Sequence, residues 1–208
     1  PNFLSWRNII NIFRQSSIIG IMAIGSTFVI IGGGFDISVG SLLALSAAMA
    51  VGLQSSMHWF LAVIVVLLVG AAFGAVNGFL SSKIHIPPII ATLGTMTIIR
   101  GIVYMYTGGY PLYVDSEGFA LIGNGYIGPI TFPIILLLIL VALGQFILVN
   151  TKFGRYSCAI GGNKEAARPS GIKVDFYMTL TFVAGGVLAA MSGVVYASRL
   201  LSVTPLAG

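Results

Sequence analysis

The sequence predicts an all-α, polytopic transmembrane helix bundle with broken or re-entrant segments, and three observations predict it. Hydrophobic residues make up 57% of the 208 and charged residues 7%, whereas a soluble domain carries about a quarter charged residues. Long apolar runs recur along the chain, four of them near the ~20 residues a helix needs to cross the hydrocarbon core. None alternates apolar and polar residues as the strands of a membrane barrel do. A chain so poor in charge uses lipid as part of its solvent.

Taken in order, the first stretch is Asn2–Gln15, where Phe3, Ile9, Ile10 and Phe13 accompany Arg7 and Arg14. It reads as an interfacial helix. Two short apolar runs follow, Ile18–Ile31 and Val39–Leu53, joined by Gly32-Gly33-Gly34-Phe35-Asp36-Ile37-Ser38. They are either two shortened spans or a re-entrant pair, and both leave the sidedness downstream unchanged. Short, glycine-interrupted segments with a carboxylate at the break mark solute paths in transporters. Full-length spans are expected at Trp59–Leu80, Ile89–Thr107, Ile130–Val149 and Phe176–Ser198. Pro87-Pro88 and Pro111 punctuate them. Small residues recur at helical spacing (Gly70, Gly74 and Gly78; Ser16 and Gly20; Gly185-Gly186, Ala189-Ala190 and Gly193) and predict helix crossings at short range.

Charge sets the sidedness. The segment 151–173 carries Lys152, Arg155, Lys164, Arg168 and Lys173 against Glu165, whereas 108–129 carries Asp115 and Glu117 and no base. The positive-inside rule makes the former a cytoplasmic loop and the latter external. Lys83 agrees; Arg7 and Arg14 fall on the external side and disagree. The net charge of +5 therefore reports membrane orientation, and a nucleic-acid role is not expected. A single cysteine, Cys158, excludes an internal disulfide or a cysteine metal cluster. The start at Pro1 and the end at Gly208 read as a piece of a longer chain, a single transmembrane domain over 1–208 truncated at both ends, with a helix expected before Pro1.

Candidate path residues are the polar groups placed at membrane depth, where an unpaired ionisable group costs a few kcal/mol or more. They are Asp36, Asn77, Thr92, Thr95 and Arg100. Hydroxyl-rich solutes need hydrogen-bond partners on leaving water. Each residue also has a structural reading. Asp36 or Ser38 suits the cap of a helix starting at Val39, Arg100 suits a snorkelling or interhelical contact, and the others suit interhelical hydrogen bonding. Within 151–173, turn signals flank a short helix at Asn163–Arg168, with Asn163 as its cap and Glu165 in its first turn. A short rigid helix exposed there could press on a soluble motor. The chain has no phosphate-binding GxxxxGK[ST] loop and no partnered nucleophile, so an enzyme is not expected and any ATP hydrolysis belongs to another polypeptide.

Three blocks of this sequence resemble the permease subunits of ribose-type ABC importers. They are Gly33-Gly34-Phe35-Asp36-Ile37-Ser38-Val39-Gly40-Ser41-Leu42, Ile86-Pro87-Pro88-Ile89-Ile90-Ala91-Thr92-Leu93-Gly94-Thr95, and Phe153-Gly154-Arg155-Tyr156 running on to Gly171-Ile172. The resemblance implies a multi-pass permease of the bacterial inner membrane for a sugar or similar small polar solute. It implies a second permease subunit, identical or not, two ABC ATPase subunits that hold ATP and magnesium, and a periplasmic solute-binding protein. No cofactor is implied on this chain. It further implies that Gly161, Gly162, Asn163, Glu165, Ala166 and Ala167 belong to the ATPase-coupling element, that one span is missing before Pro1 and that about three are missing after Gly208. Two departures stand out: Phe35 where the family has an aliphatic residue, and Pro169 where it has a non-proline, so the coupling helix should end near Arg168. The competing class is an ion-gradient carrier or channel, for which Asp36 is the one candidate coupling carboxylate.

Overall fold

The computed structural model describes residues 3–208. Its helices are α1 (Trp6–Ile31), α2 (Val39–Gly52, continued by a 3-10 turn at Leu53–Ser55), α3 (Trp59–Ser82), α4 (Pro88–Thr107), α5 (Glu117–Asn124), α6 (Phe132–Asn150), α7 (Lys152–Gly162), α8 (Lys164–Ala167) and α9 (Val174–Leu200). Two minimal antiparallel ladders join loops: β1 (Leu112–Tyr113) with β4 (Ser202–Val203), and β2 (Tyr126–Ile127) with β3 (Ile130–Thr131). Helices α1, α3, α4, α6 and α9 are long and apolar enough to cross a membrane. The fold is the all-α bundle expected of the composition.

Helix α9 is the centre. Helices α1, α2 and α3 all pack against it, and α1 and α2 lean on α9 rather than on each other. Glycine makes this possible. A Cβ at Gly70 would lie 2.5 Å from the Ala190 Cβ, and one at Gly78 would lie 2.6 Å from the Thr179 Cα. Gly74 sits on the Phe182 carbonyl, Gly186 on the Gly70 carbonyl and Gly193 on the Leu43 carbonyl. The core fills around these crossings with Leu42, Leu45, Val66, Ile99, Val194 and Val195. The small residues read from the sequence do mark the close crossings.

Three expectations are corrected. The interfacial helix and the first short run are one helix: α1 is continuous over 26 residues, about 39 Å at 1.5 Å per residue. Ser5 starts it by accepting from the Asn8 N–H at 3.3 Å. Its polar Arg14 is matched by tertiary structure, since the guanidinium donates to the Gly123 carbonyl at 2.8 Å and to the Asn124 amide oxygen. These groups close the C-terminal end of α5, where a cation suits the unsatisfied carbonyls. Accordingly α1 and α2 are neither two shortened spans nor a re-entrant pair: α1 is full length, and only the 14-residue α2 is short. Finally, 151–173 is no loop. Helices α7 and α8 occupy most of it, bent by Asn163 in extended backbone.

Bases gather at one end of the bundle: Lys83, Lys152, Arg155, Lys164, Arg168 and Lys173 lie there with the acids Glu165 and Asp175, whereas Asp115, Glu117, Arg199 and the ladders lie at the other. Among the described residues the ion pair is Arg168–Asp175 at 2.7 Å, on the base-rich end.

Candidate solute path and coupling element

The break between α1 and α2 is built on three glycines packed against α9 and α7. Cβ atoms at Gly32 and Gly34 would lie 2.8 Å from the Thr181 hydroxyl and 2.7 Å from the Phe182 ring. Gly33 takes φ +79°, a left-handed conformation that favours glycine. The chain then turns through Asp36. One carboxylate oxygen, Oδ1, accepts from the Ser38 N–H at 2.8 Å and from the Ser38 hydroxyl at 2.6 Å. This is an Asx turn leading into α2. Asp36 is therefore not the cap itself; Ser38 holds that position.

Around this turn the sequence candidates partly converge. Asn77 of α3, buried, donates its amide to the Ser38 hydroxyl at 3.0 Å. Thr92, in the first turns of α4, accepts from the Ile37 N–H at 3.2 Å. Thr95 is buried one turn on and donates to the Thr92 carbonyl at 3.1 Å. Asp36, Ser38 and Asn77 thus form one hydrogen-bonded polar cluster, with Thr92 joined to it through the Ile37 N–H, whereas Thr95 bonds only within α4. Pattern reading offered Ser38 as a cap and not as the link between Asp36 and Asn77; the Asp-x-Ser spacing carries the first half of that signal. Three buried oxygens nearby, Asp36 Oδ2, Asn77 Oδ1 and Ser41 Oγ, have no hydrogen-bond partner among the described residues. Such acceptors are costly to bury and match groups that donate.

Arg100 stands apart from the cluster. It lies eight residues beyond Thr92 on α4, about 12 Å along the axis, at the edge of the buried stripe formed by Ile99 and Val103. Its guanidinium donates to the Ala207 carbonyl at 2.8 Å and the Gly208 carbonyl at 3.1 Å. It does not pair with Asp36. Phe35, beside the cluster, is exposed.

At the base-rich end, Thr151 caps α7 by accepting from the Gly154 N–H at 3.3 Å. Asn163 caps α8, its side-chain oxygen accepting from the Ala166 N–H at 2.9 Å, with Glu165 in the first turn. The helix stops at Ala167, ahead of Pro169, in keeping with the early end expected there. Ala167 is buried, whereas Gly162, Asn163, Glu165 and Ala166 face outward. Gly161 is different: a Cβ there would strike the Ile31 carbonyl and come within 3.2 Å of the Gly33 nitrogen. The end of α7 therefore rests directly on the break that carries Asp36. This contact was invisible to sequence reading, which took Gly161 and Gly162 together. Gly162 has open space around it and no positive φ.

Residues 8–208 match the family described as branched-chain amino acid transport system / permease component. The chain belongs to that permease family. It is similar to ribose import permeases. The ribose import permease of Haemophilus influenzae is 43% identical over 213 residues, covering 100% of this chain and 66% of the relative. That of Bacillus subtilis is 42% identical over 211 residues, with the same coverage. The D-allose transport system permease of Escherichia coli is 38% identical over 208 residues, covering 99% of the chain and 64% of the relative. The chain thus spans just under two thirds of the ribose permeases it matches. No solved structure matches it. As a member of this family with five helices suited to crossing a bilayer, it is part of a multi-pass membrane protein.

Proposed function

We propose that this permease domain carries a sugar or similar small polar solute across the bacterial inner membrane, driven by ATP hydrolysed on separate ABC ATPase subunits. A second permease subunit and an external solute-binding protein complete the assembly. ATP and magnesium would sit on the ATPase, and this chain supplies none of their ligands. One observation carries the coupling: Gly161, at the end of the base-rich α7, packs on Ile31 and Gly33, the break that leads into the Asp36 turn. Force applied to the exposed face of α7–α8 would reach the polar cluster through backbone contact, with no flexible side chain between. The cluster's orphaned acceptors fit hydroxyl donors, and the similar permeases are named for ribose, allose and galactose. The ion-gradient alternative draws no support from them.

The test is co-purification together with uptake. The full-length permease, tagged and extracted mildly, should bring down an ATPase subunit, and labelled sugar uptake should require ATP. Uptake that persists without the ATPase and follows an ion gradient would replace this reading with a secondary carrier.

A further inference from the structure

We propose that the base-rich end holds a binding site for an anionic phospholipid headgroup, in the hollow between the end of α3 and the start of α9. The hollow has a volume of about 470 Å³ and is rimmed by Lys83, Arg168 and Lys173, with Ile172 and Phe176 as its apolar wall. Asp175 is the one acid on the rim and is paired with Arg168 at 2.7 Å. Three bases less one acid leave two net positive charges on the rim. Neither Lys83 nor Lys173 makes an ion pair among the described residues.

Position selects lipid over a soluble anion. Lys83 is the C-cap of α3 and Lys173 the N-cap of α9, both of them helices of membrane-spanning length. The two ammonium groups therefore lie where apolar helices leave the hydrocarbon, at headgroup height. Beside them Phe176 is 59% exposed. It also borders an adjoining hollow of about 340 Å³ that includes Tyr156 and Tyr177, whose rings pack edge to face with centroids 4.9 Å apart. Tyrosines favour the membrane–water interface, where one end is apolar and the other wet. A phosphodiester held by Lys83, Lys173 and the free donors of Arg168 would place its acyl chains along Phe176. Basic pockets between spanning helices on the positive side suit anionic headgroups. Because this hollow adjoins α8, lipid bound there would also buttress the start of α9 beneath the polar cluster.

The experiment uses the full-length permease in its complete complex, reconstituted in vesicles of phosphatidylcholine alone or of an equimolar phosphatidylcholine–phosphatidylglycerol mixture. Lipid retained after extraction is counted by native mass spectrometry. Wild type should retain phosphatidylglycerol over phosphatidylcholine. K83Q/K173Q should lose about 25-fold in that retention, a factor of about five per lysine, while K83R/K173R keeps it. K152Q/R155Q, which removes the same charge elsewhere on this end, should keep it too. Where the double variant fails to fold in phosphatidylcholine, the single variants replace it, each expected to lose about fivefold. Equal retention by wild type and K83Q/K173Q overturns the proposal. So does equal loss in K152Q/R155Q, which would mean diffuse attraction. Phosphatidylglycerol retained by K83Q/K173Q with the ATPase lost would make the hollow a protein contact and overturn it as well.

Discussion

At Asp36 the two carboxylate oxygens have different duties. Oδ1 is consumed by Ser38, while Oδ2 is buried without a donor. Asn can reproduce the first role, because its side-chain oxygen makes the same turn, but it puts an amide donor or a neutral oxygen in place of the second. Asp36→Asn should therefore insert normally and melt within roughly 0.5 kcal/mol of wild type. Uptake per complex should fall about tenfold or more, the scale of one charge-assisted hydrogen bond. Equal uptake would reduce Asp36 to a turn residue. Asp36→Ala removes both roles and cannot separate them. Arg100 shows the opposite lesson. Its type and depth placed it with this carboxylate among the path candidates, yet its donors are used on the Ala207 and Gly208 carbonyls. Residue type revealed the expense of each group; where that expense is met depends on neighbours distant in sequence.

Among the elements, α3, α4, α6 and α9 lie within about two residues of the apolar runs that predicted them, because long apolar periods leave little choice in lipid. The first turns of α1 were legible as helix but not as part of the span. Arg14 and Gln15 argue against a span until α5, itself unpredicted, supplies Arg14 with acceptors. Helix α7 was hidden by Gly154, Gly161 and Gly162, poor helix formers in isolation. Gly154 and Gly161 are explained only by contact with the Leu148 and Ile31 carbonyls. The α8 cap, by contrast, was readable from Asn163 and Glu165 alone, since capping is local chemistry. These helices carry their own prediction. Glu165→Arg and Gly162→Trp alter exposed positions, the second with open space around it, so insertion and melting should hold while ATPase stimulation and uptake part company. Gly161→Val should instead lower stability by at least about 1 kcal/mol through the collision at Ile31. Unchanged coupling in both surface variants would return α8 to a topological role.

Across the whole molecule, the gathering of bases at the α7–α8 end leads us to propose by the positive-inside rule that this end is cytoplasmic, and Cys158 tests it. It is exposed on α7 at the base-rich end. A membrane-impermeant maleimide should leave it unlabelled in intact cells and label it once the membrane is opened; efficient labelling in intact cells would invert the bundle. The sidedness matters because of how the bundle can move. Where α1, α2 and α3 meet α9, backbone lies on backbone: Gly25 against Gly185, Gly70 against Gly186, Gly193 against the Leu43 carbonyl. Such contacts have no rotamers, so they cannot yield by degrees; they hold or they part. Helix α4 is different, with Gly94 and Gly101 meeting no other residue and Ile90, Ile98 and Met105 facing outward. On the proposed coupling, a stroke delivered at Gly161 would meet a stiff keel of four helices and a looser plank beside it. The seam between keel and plank, where Thr92 meets the Asp36 turn, is then the place expected to open.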